Sequence, residues 1–211
     1  MDNPLVSIII NTRNEEKHME RCLISILNQN YPKDKIEIIV VDNDSCDKTK
    51  EIALKYTDKV FDKGPERSAQ KNFGVRNSRG DYILFLDADM ILSQDVINNC
   101  VCKINKNPKI VGLYIKEIVL GKKFWSKIRR FERSFYDGTV IDAVRFTKKG
   151  TFQDIGGFDE KLYACEDWDL TKRIRKKGKL GKIISVIYHN EEEVNIKRYL
   201  HKKNYYIQNM E

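Results

Sequence analysis

The sequence predicts an α/β fold, a mostly parallel sheet flanked by helices on both faces, in a single domain. Three observations carry this expectation. Val6-Ser7-Ile8-Ile9-Ile10, Ile36-Glu37-Ile38-Ile39-Val40-Val41 and Tyr82-Ile83-Leu84-Phe85-Leu86 are nearly continuous apolar runs of strand length, the pattern of strands covered on both faces. Helix-length segments separate them, and alternation of this kind builds parallel sheets by crossover. The chain has 211 residues, enough for one domain with a substantial core.

The first strand covers 6–11. A helix follows over 17–27, with Met19, Cys22, Leu23, Ile26 and Leu27 on one face, and Tyr31-Pro32 ends it. The second strand covers 36–41. Ser45 or Asp47 caps the next helix, which runs to residue 56. Val60-Phe61 forms a short strand, 68–77 a helix and Arg79-Gly80-Asp81 a turn. The third strong strand is 82–86, followed by a helix over 95–106. The second half is less regular. A strand over 110–119 turns at Gly121. An amphipathic helix covers 124–136, a strand 141–146, a helix 166–177 closed by Gly178, and a strand 183–188. The tail, 194–210, is helical in pattern and basic. Neither a repeat nor a linker divides the chain.

Hydrophobic residues make up 41% and charged residues 33%, which excludes a disordered or collagenous chain. Lys and Arg total 39 against 31 Asp and Glu, a net charge of +8 that suits an anionic partner such as a nucleotide diphosphate, a lipid phosphate or a membrane surface. Nucleic acid is not the expected partner, because the positive residues are dispersed and an aromatic–basic surface motif is missing. The five cysteines show no zinc-ligand spacing, and Cys100 and Cys102 point about 200° apart on a helix. They read as reduced thiols of a cytoplasmic protein. No signal peptide is expected, and no apolar run approaches the roughly 20 residues of a spanning helix, so membrane contact would be peripheral.

Ligands of parallel sheets bind beyond the carboxyl ends of the strands. Three polar clusters lie there: Asn11-Thr12-Arg13-Asn14-Glu15, Asp42-Asn43-Asp44-Ser45 and Asp87-Ala88-Asp89. Two carboxylates on a tight loop after a buried strand either form a solvated turn or hold a hard divalent cation and the diphosphate it bridges. Oxygen ligands fit Mg2+ or Mn2+.

Taken in order, the motifs resemble family 2 glycosyltransferases of GT-A type. The segment from Gly80 to Asp89 is similar to that family's metal-binding strand. Val6 to Glu15 resembles its first strand and nucleotide-contacting loop, and Val40 to Asp47 its second. Ser68-Ala69-Gln70-Lys71-Asn72-Phe73-Gly74 resembles the helix beside the nucleotide. Gly156-Gly157-Phe158-Asp159-Glu160, with Glu166-Asp167-Trp168-Asp169-Leu170 and Arg173, resembles the acceptor-side signature. Together they span about residues 5–190.

The resemblance implies a nucleotide-sugar-binding half over 1–106 and an acceptor-binding half with a basic helical tail over 107–211. It implies a metal-dependent, inverting transfer of a sugar from a UDP- or GDP-linked donor. Thr12, Arg13, Asn14 and Glu15 would contact the nucleotide. Asn43 falls where a base-reading carboxylate is common, which leaves the base open. Lys71 would support the diphosphate. Asp89 would be the main metal ligand, with Asp87 at the ribose or a metal-bound water. Asp167 would be the catalytic base, beside Glu166 and Trp168 on the acceptor side; by itself Glu166-Asp167 also reads as a helix N-terminus. His189, after the last strand, is either a further metal ligand or a strand-end histidine bonded to backbone. A nucleotidyltransferase would want a glycine-rich first loop, which Asn11 to Glu15 is not. A non-catalytic nucleotide-sugar-binding module would need the metal loop without Asp167.

Phe124, Ile128, Phe131 and Phe135 share one helix face, with Trp125 at its edge and Lys127, Arg129, Arg130 and Arg133 on the remainder. Such a helix lies in a membrane interface or packs on the sheet, and packing is the expectation. Lys197, Arg198, Lys202 and Lys203 in the tail add weight to membrane contact and to an acceptor such as a glycan or a polyprenyl phosphate.

Overall fold

The computed structural model describes residues 3–139 and 142–190. Strands β1 (Val6–Thr12), β2 (Ile36–Asp42), β3 (Val60–Asp62) and β4 (Tyr82–Asp87) make a parallel half-sheet. Strands β5 (Met90–Leu92), β6 (Ile110–Val119), β7 (Phe146–Lys148) and β8 (Lys179–His189) extend it with mixed pairings. The order across this eight-stranded sheet is β3-β2-β1-β4-β7-β6-β8-β5. The helices are α1 (Glu16–Leu27), α2 (Thr49–Ala53), α3 (Arg67–Arg76), α4 (Val96–Lys106), α5 (Phe124–Ser134), α6 (Lys149–Asp154) and α7 (Glu166–Arg175).

Every residue of β1 is buried, because strands flank it on both sides and helices cover both faces. Alternation along the strand divides its side chains. Ile8 and Ile10 join Ile38, Val40, Leu84 and Leu86 in a core closed by Met19, Leu23 and Ile26 of α1 and by Ile97, Val101 and Ile104 of α4. Ile9 joins Ile39, Val41, Ile83 and Phe85 in a second core with Val75, Phe152, Phe158, Leu170 and Ile174. A Cβ on Gly74 would stand 2.4 Å from Ile9 Cγ2, so glycine lets α3 lie close on β1.

Several elements differ from the sequence expectation. The strand expected over 141–146 is β7, from Phe146 to Lys148. Ala143 has φ 52°, which breaks the extended run before it can pair. The helix expected to reach residue 56 stops at Ala53. Asp47 rather than Ser45 serves its start, accepting the Thr49 N–H at 3.0 Å, while the Ser45 hydroxyl donates to Asp42 at 2.6 Å. Two short elements, β5 and α6, were not expected at all.

The largest correction is α5. It does not pack its aromatic face on the sheet: Phe124, Phe131 and Phe135 are 67%, 67% and 64% exposed, and Trp125 and Ile128 are exposed too. Its polar face goes inward. Ser126 is buried, Arg133 binds Glu117, and Arg130 donates to the carbonyls of Val119 at 2.7 Å and Gly121 at 2.9 Å. A buried carboxylate and open strand-end carbonyls outcompete apolar contact for this face, since leaving them unpaired costs more than solvating the rings. The basic tail expected over 194–210 lies outside the described residues.

Candidate active site

Register puts the candidate residues on one rim. In β1, Thr12 lies opposite Asp42 of β2 and Asn11 opposite Asp87 of β4, so three loops leave the sheet together. The first two are tied by hydrogen bonds. The Asn14 N–H donates to Ser45 at 2.8 Å, the Cys46 N–H to Asn14 Oδ1 at 2.9 Å, and the Glu15 N–H to Thr49 at 2.7 Å. Asn14 and Asp44 take the left-handed conformation, φ 54° and 52°, which these two residue types tolerate in tight loops. Arg13 and Asn14 are exposed at the tip and Glu15 is half-buried. Asn43 is held by its Nδ2, which donates to the Pro65 carbonyl at 2.6 Å. Thr12 Oγ1 and Asn11 Oδ1 are buried and have no hydrogen-bond partner among the described residues.

Asp87 accepts from Asn11 Nδ2 at 3.0 Å and from Arg145 Nη1 at 3.2 Å. Burial opposes its charge, but Arg145, Lys71, Arg67 and His189 outweigh burial and hold the carboxyl well below the ordinary carboxylate range. Asp89 meets His189, 100 positions away, with Oδ2 at 3.1 Å from Nε2. The cause is β5, which pairs antiparallel with β8 and sets Met90 opposite His189. The Asn190 N–H also donates to the Asp89 carbonyl at 2.9 Å. Burial disfavours the imidazolium, yet Asp89 and Glu117 overcome it and raise the His189 pKa to about 10.

The fit of this loop to a divalent cation can be read from its atoms. Asp89 Oδ1 is buried with no hydrogen-bond partner among the described residues. It is an acceptor-only oxygen that a cation would satisfy. No three His, Cys, Asp or Glu side chains converge as a metal site among the described residues. Asp89 and His189 are two donors, and an ion there would take the remainder from diphosphate and water, a common arrangement for nucleotide-bound metals. The residues fit, with His189 required to give up its proton on ligation.

On the other side of the cleft, α7 begins at Glu166, after Cys165 in a left-handed turn of φ 60°. Asp167 Oδ1 accepts from Lys71 Nζ at 2.9 Å. Lys71 is 1% exposed, its Nζ lies 3.6 Å from Glu166 and 4.8 Å above the Phe158 ring. Burial opposes the ammonium, but Asp167 and Glu166 keep its pKa above the ordinary lysine value. Lys71 therefore faces the candidate base. Burial, then the charge of Asp167, pushes the Glu166 carboxyl up. Trp168 is half-buried and shares no hydrogen bond with these groups among the described residues.

The Gly156-Gly157-Phe158 loop is clasped from both sides. Asn72 exchanges hydrogen bonds with the Phe158 backbone at 2.9 Å each way, and Arg173 donates to the carbonyls of Ile155 at 2.8 Å and Gly157 at 2.6 Å. Gly157 has φ +72°, and a Cβ there would stand 2.6 Å from Asn72 Oδ1, so only glycine serves.

Arg145 joins the two sides. It binds Asp87 directly, and the charge of Asp167 helps raise its own pKa well above the ordinary value. Sequence reading missed Arg145, Glu117, Gln70 and Arg67. Gln70 donates to the carbonyls of Thr12 at 3.0 Å and Val41 at 2.7 Å. The available signal was Glu117 itself, a charge in line with Leu113, Ile115 and Val119 on the otherwise apolar inward face of the strand.

A sheet of this kind, with two loop carboxylates beyond a central parallel strand and a third carboxylate opening a helix nearby, is of GT-A type. The match to the family model "Glycosyl transferase family 2" over residues 7–159 makes the chain a member of that family. Glycosyltransferase AglE of Haloferax volcanii is 30% identical over 190 residues, 83% of this chain and 62% of that protein. A dolichyl N-acetyl-alpha-D-glucosaminyl phosphate 3-beta-D-2,3-diacetamido-2,3-dideoxy-beta-D-glucuronosyltransferase of Methanococcus voltae is 28% identical over 82% of this chain and 62% of its own length. The chain thus spans about three fifths of these relatives. Among solved structures, mannosyltransferase PcManGT of Pyrobaculum calidifontis, in complex with GDP-Man and Mn2+, superposes with a TM-score of 0.73 at 20% identity, covering 94% of this chain and 60% of that one. A TarS fragment of S. aureus in complex with UDP-GlcNAc gives 0.73 at 22% identity, covering 90% and 60%.

Proposed function

We propose that the chain catalyses a metal-dependent, inverting transfer of a sugar from a UDP- or GDP-linked donor to an acceptor hydroxyl. The observation that carries this reading is that Arg145, which binds Asp87, also lies within the field of Asp167, which Lys71 binds. The family match favours sugar transfer over nucleotidyl transfer, and Asp167 is what a non-catalytic binding module would lack a use for.

Thr12, Arg13, Asn14, Glu15 and Asn43 bind the nucleoside, and the buried Asn11 and Thr12 oxygens without partners are ready acceptors for its hydroxyls. Asp89 and His189 hold the metal, and Asp87 orients the ribose or a water on it. When bound, the metal neutralises charge on the departing diphosphate. The imidazole donor favours Mn2+ over Mg2+. Lys71 supports the diphosphate through its charge, and Arg67, exposed one turn before it and acting on both Asp87 and Glu166, adds a second positive group there. Lys71 fixes Asp167 Oδ1, leaving Oδ2 to take the acceptor proton. The acceptor oxygen then bonds to the anomeric carbon as the bond to the diphosphate breaks, and Asp167 holds the proton. Glu166 and Trp168 border the acceptor.

The name of the M. voltae relative includes a dolichyl phosphate sugar, which supports a lipid-borne glycan as acceptor here, with one of its sugar hydroxyls as the attacking group. The outward rings of α5, with exposed Lys122 and Lys127, support peripheral contact with the membrane that would carry it. No described helix is long and apolar enough to cross a membrane.

The deciding experiment screens UDP- and GDP-sugars with Mn2+ or Mg2+ for turnover and determines the product anomer. With the active donor, Asp167→Asn is expected to lower kcat by about 10²- to 10⁴-fold, with nucleotide affinity within a few-fold of the parent. Unchanged kcat on a hydroxyl acceptor removes Asp167 from the mechanism.

A further inference from the structure

We propose that Glu117 is a positioning residue that holds both aspartates of the metal loop, reaching Asp89 through His189 and Asp87 through Arg145. This rests on the metal-dependent reading of the site. Glu117 sits on β6 between Ile115 and Val119, on the inward side of the strand, where the alternation calls for an apolar residue. Its side chain is 1% exposed. Burying a carboxylate at such a position is costly unless every oxygen is paired, and a leucine would serve the core without that cost. A charge kept there against the pattern points to a task.

The contacts define that task. Glu117 Oε1 accepts from Arg145 twice, from Nε at 3.0 Å and from Nη2 at 2.7 Å. The same guanidinium reaches on with Nη1 to Asp87 Oδ2 at 3.2 Å. Glu117 Oε2 accepts from Arg133 of α5 and lies 3.6 Å from His189 Nδ1. With Nδ1 turned to Glu117, Nε2 of the same ring is turned to Asp89, at 3.1 Å. One carboxylate thus has two arms, each one side chain long, and each ends on an aspartate of the loop. A carboxylate 3.6 Å from the far nitrogen, an ion-pair contact longer than a hydrogen bond, favours the ring orientation that turns Nε2 to Asp89. The bidentate guanidinium does the same for Asp87, since its planar fork has few ways to satisfy two carboxylates at once.

The test is Mn2+ binding by the full chain, without nucleotide and with UDP or GDP, read from the loss of the free Mn2+ EPR signal against a nucleotide-only blank, in the parent, Glu117→Gln, Glu117→Asp, His189→Ala, Asp89→Asn and the E117Q/H189A double variant. Asp89→Asn must lose Mn2+; if it binds like the parent, the metal reading itself is wrong and the inference falls with it. With that control in place, Glu117→Gln is expected to weaken Mn2+ binding about 10- to 100-fold. Glu117→Asp keeps the charge but shortens the reach, and should also weaken binding. It decides the question if the Gln variant does not fold. The double variant should lose less than the product of its two single losses, because one arm of Glu117 runs through His189. Lower apo thermal stability with unchanged Mn2+ affinity would mean a structural role only, and would overturn the proposal. So would fully multiplicative losses in the double variant.

Discussion

Glu37 is the clearest residue-scale case of charge built into the core. It lies on β2 opposite Ser7, far along the strands from the candidate site, and is 5% exposed. It accepts the Arg79 N–H at 2.7 Å and Arg79 Nε at 3.1 Å, along with Lys59 and the Ser7 hydroxyl, which in turn receives the Gly80 N–H at 2.8 Å. Burial disfavours the carboxylate, but these donors prevail and lower its pKa to about 2. The unfolded chain has the ordinary value near 4.5. A depressed folded-state pKa contributes stability that is complete above about pH 4.5 and is lost as pH falls toward 2. Thermal midpoints of the parent should therefore fall steeply across that window, and Glu37→Gln should flatten the fall while costing about 2 kcal/mol at pH 7. Parallel pH profiles for the two proteins would rule this out. None of it could be read from the sequence, where Glu37 is one polar letter in an apolar run. The same holds for Lys71: its helix was legible, yet its burial against Asp167 depends on a segment 96 positions away.

At the scale of elements, the contrast between α5 and β5 is instructive. The amphipathic pattern of 124–136 was plain, and the helix is there, but periodicity gives the axis of an apolar stripe and not its neighbour. The sheet beneath offers Glu117 and strand-end carbonyls, so arginines turn inward and rings outward. If those rings meet lipid, Phe131→Ser with Phe135→Ser should cut partition onto vesicles containing anionic lipid about 10²- to 10⁴-fold, at roughly 1.5–3 kcal/mol for each of the two rings. Chemical stability should stay within about 0.5 kcal/mol, because both positions are exposed. Equal vesicle sedimentation of parent and variant would exclude an interfacial role. β5 is the opposite case. Three residues, Met90-Ile91-Leu92, carry too little pattern to announce a strand, but their pairing with β8 delivers His189 to Asp89.

Across the whole molecule, the strands of the first half and the segment from Phe152 to Phe158 share one core. Phe85 of β4 stands 5.4 Å from the ring of Phe152 and 5.2 Å from that of Phe158, so the central parallel strand buries the loop that carries Gly156 and Gly157. Unfolding should be a single transition with coincident far-UV circular dichroism and fluorescence curves. Phe85→Ala should cost about 3–5 kcal/mol without splitting it. Two separated transitions would show halves that fold apart. The sequence by itself determined the α/β class, the central strands, the loops that follow them and the family, because short-range periodicity and motif order are properties of neighbouring residues. Only the tertiary structure decided which groups meet: Lys71 with Asp167, Asp89 with His189, and Arg145 and Arg133 with Glu117. Those meetings depend on strand order, on register and on a strand of three residues. They are settled by the pairing and burial of charges from distant segments, which no local pattern records.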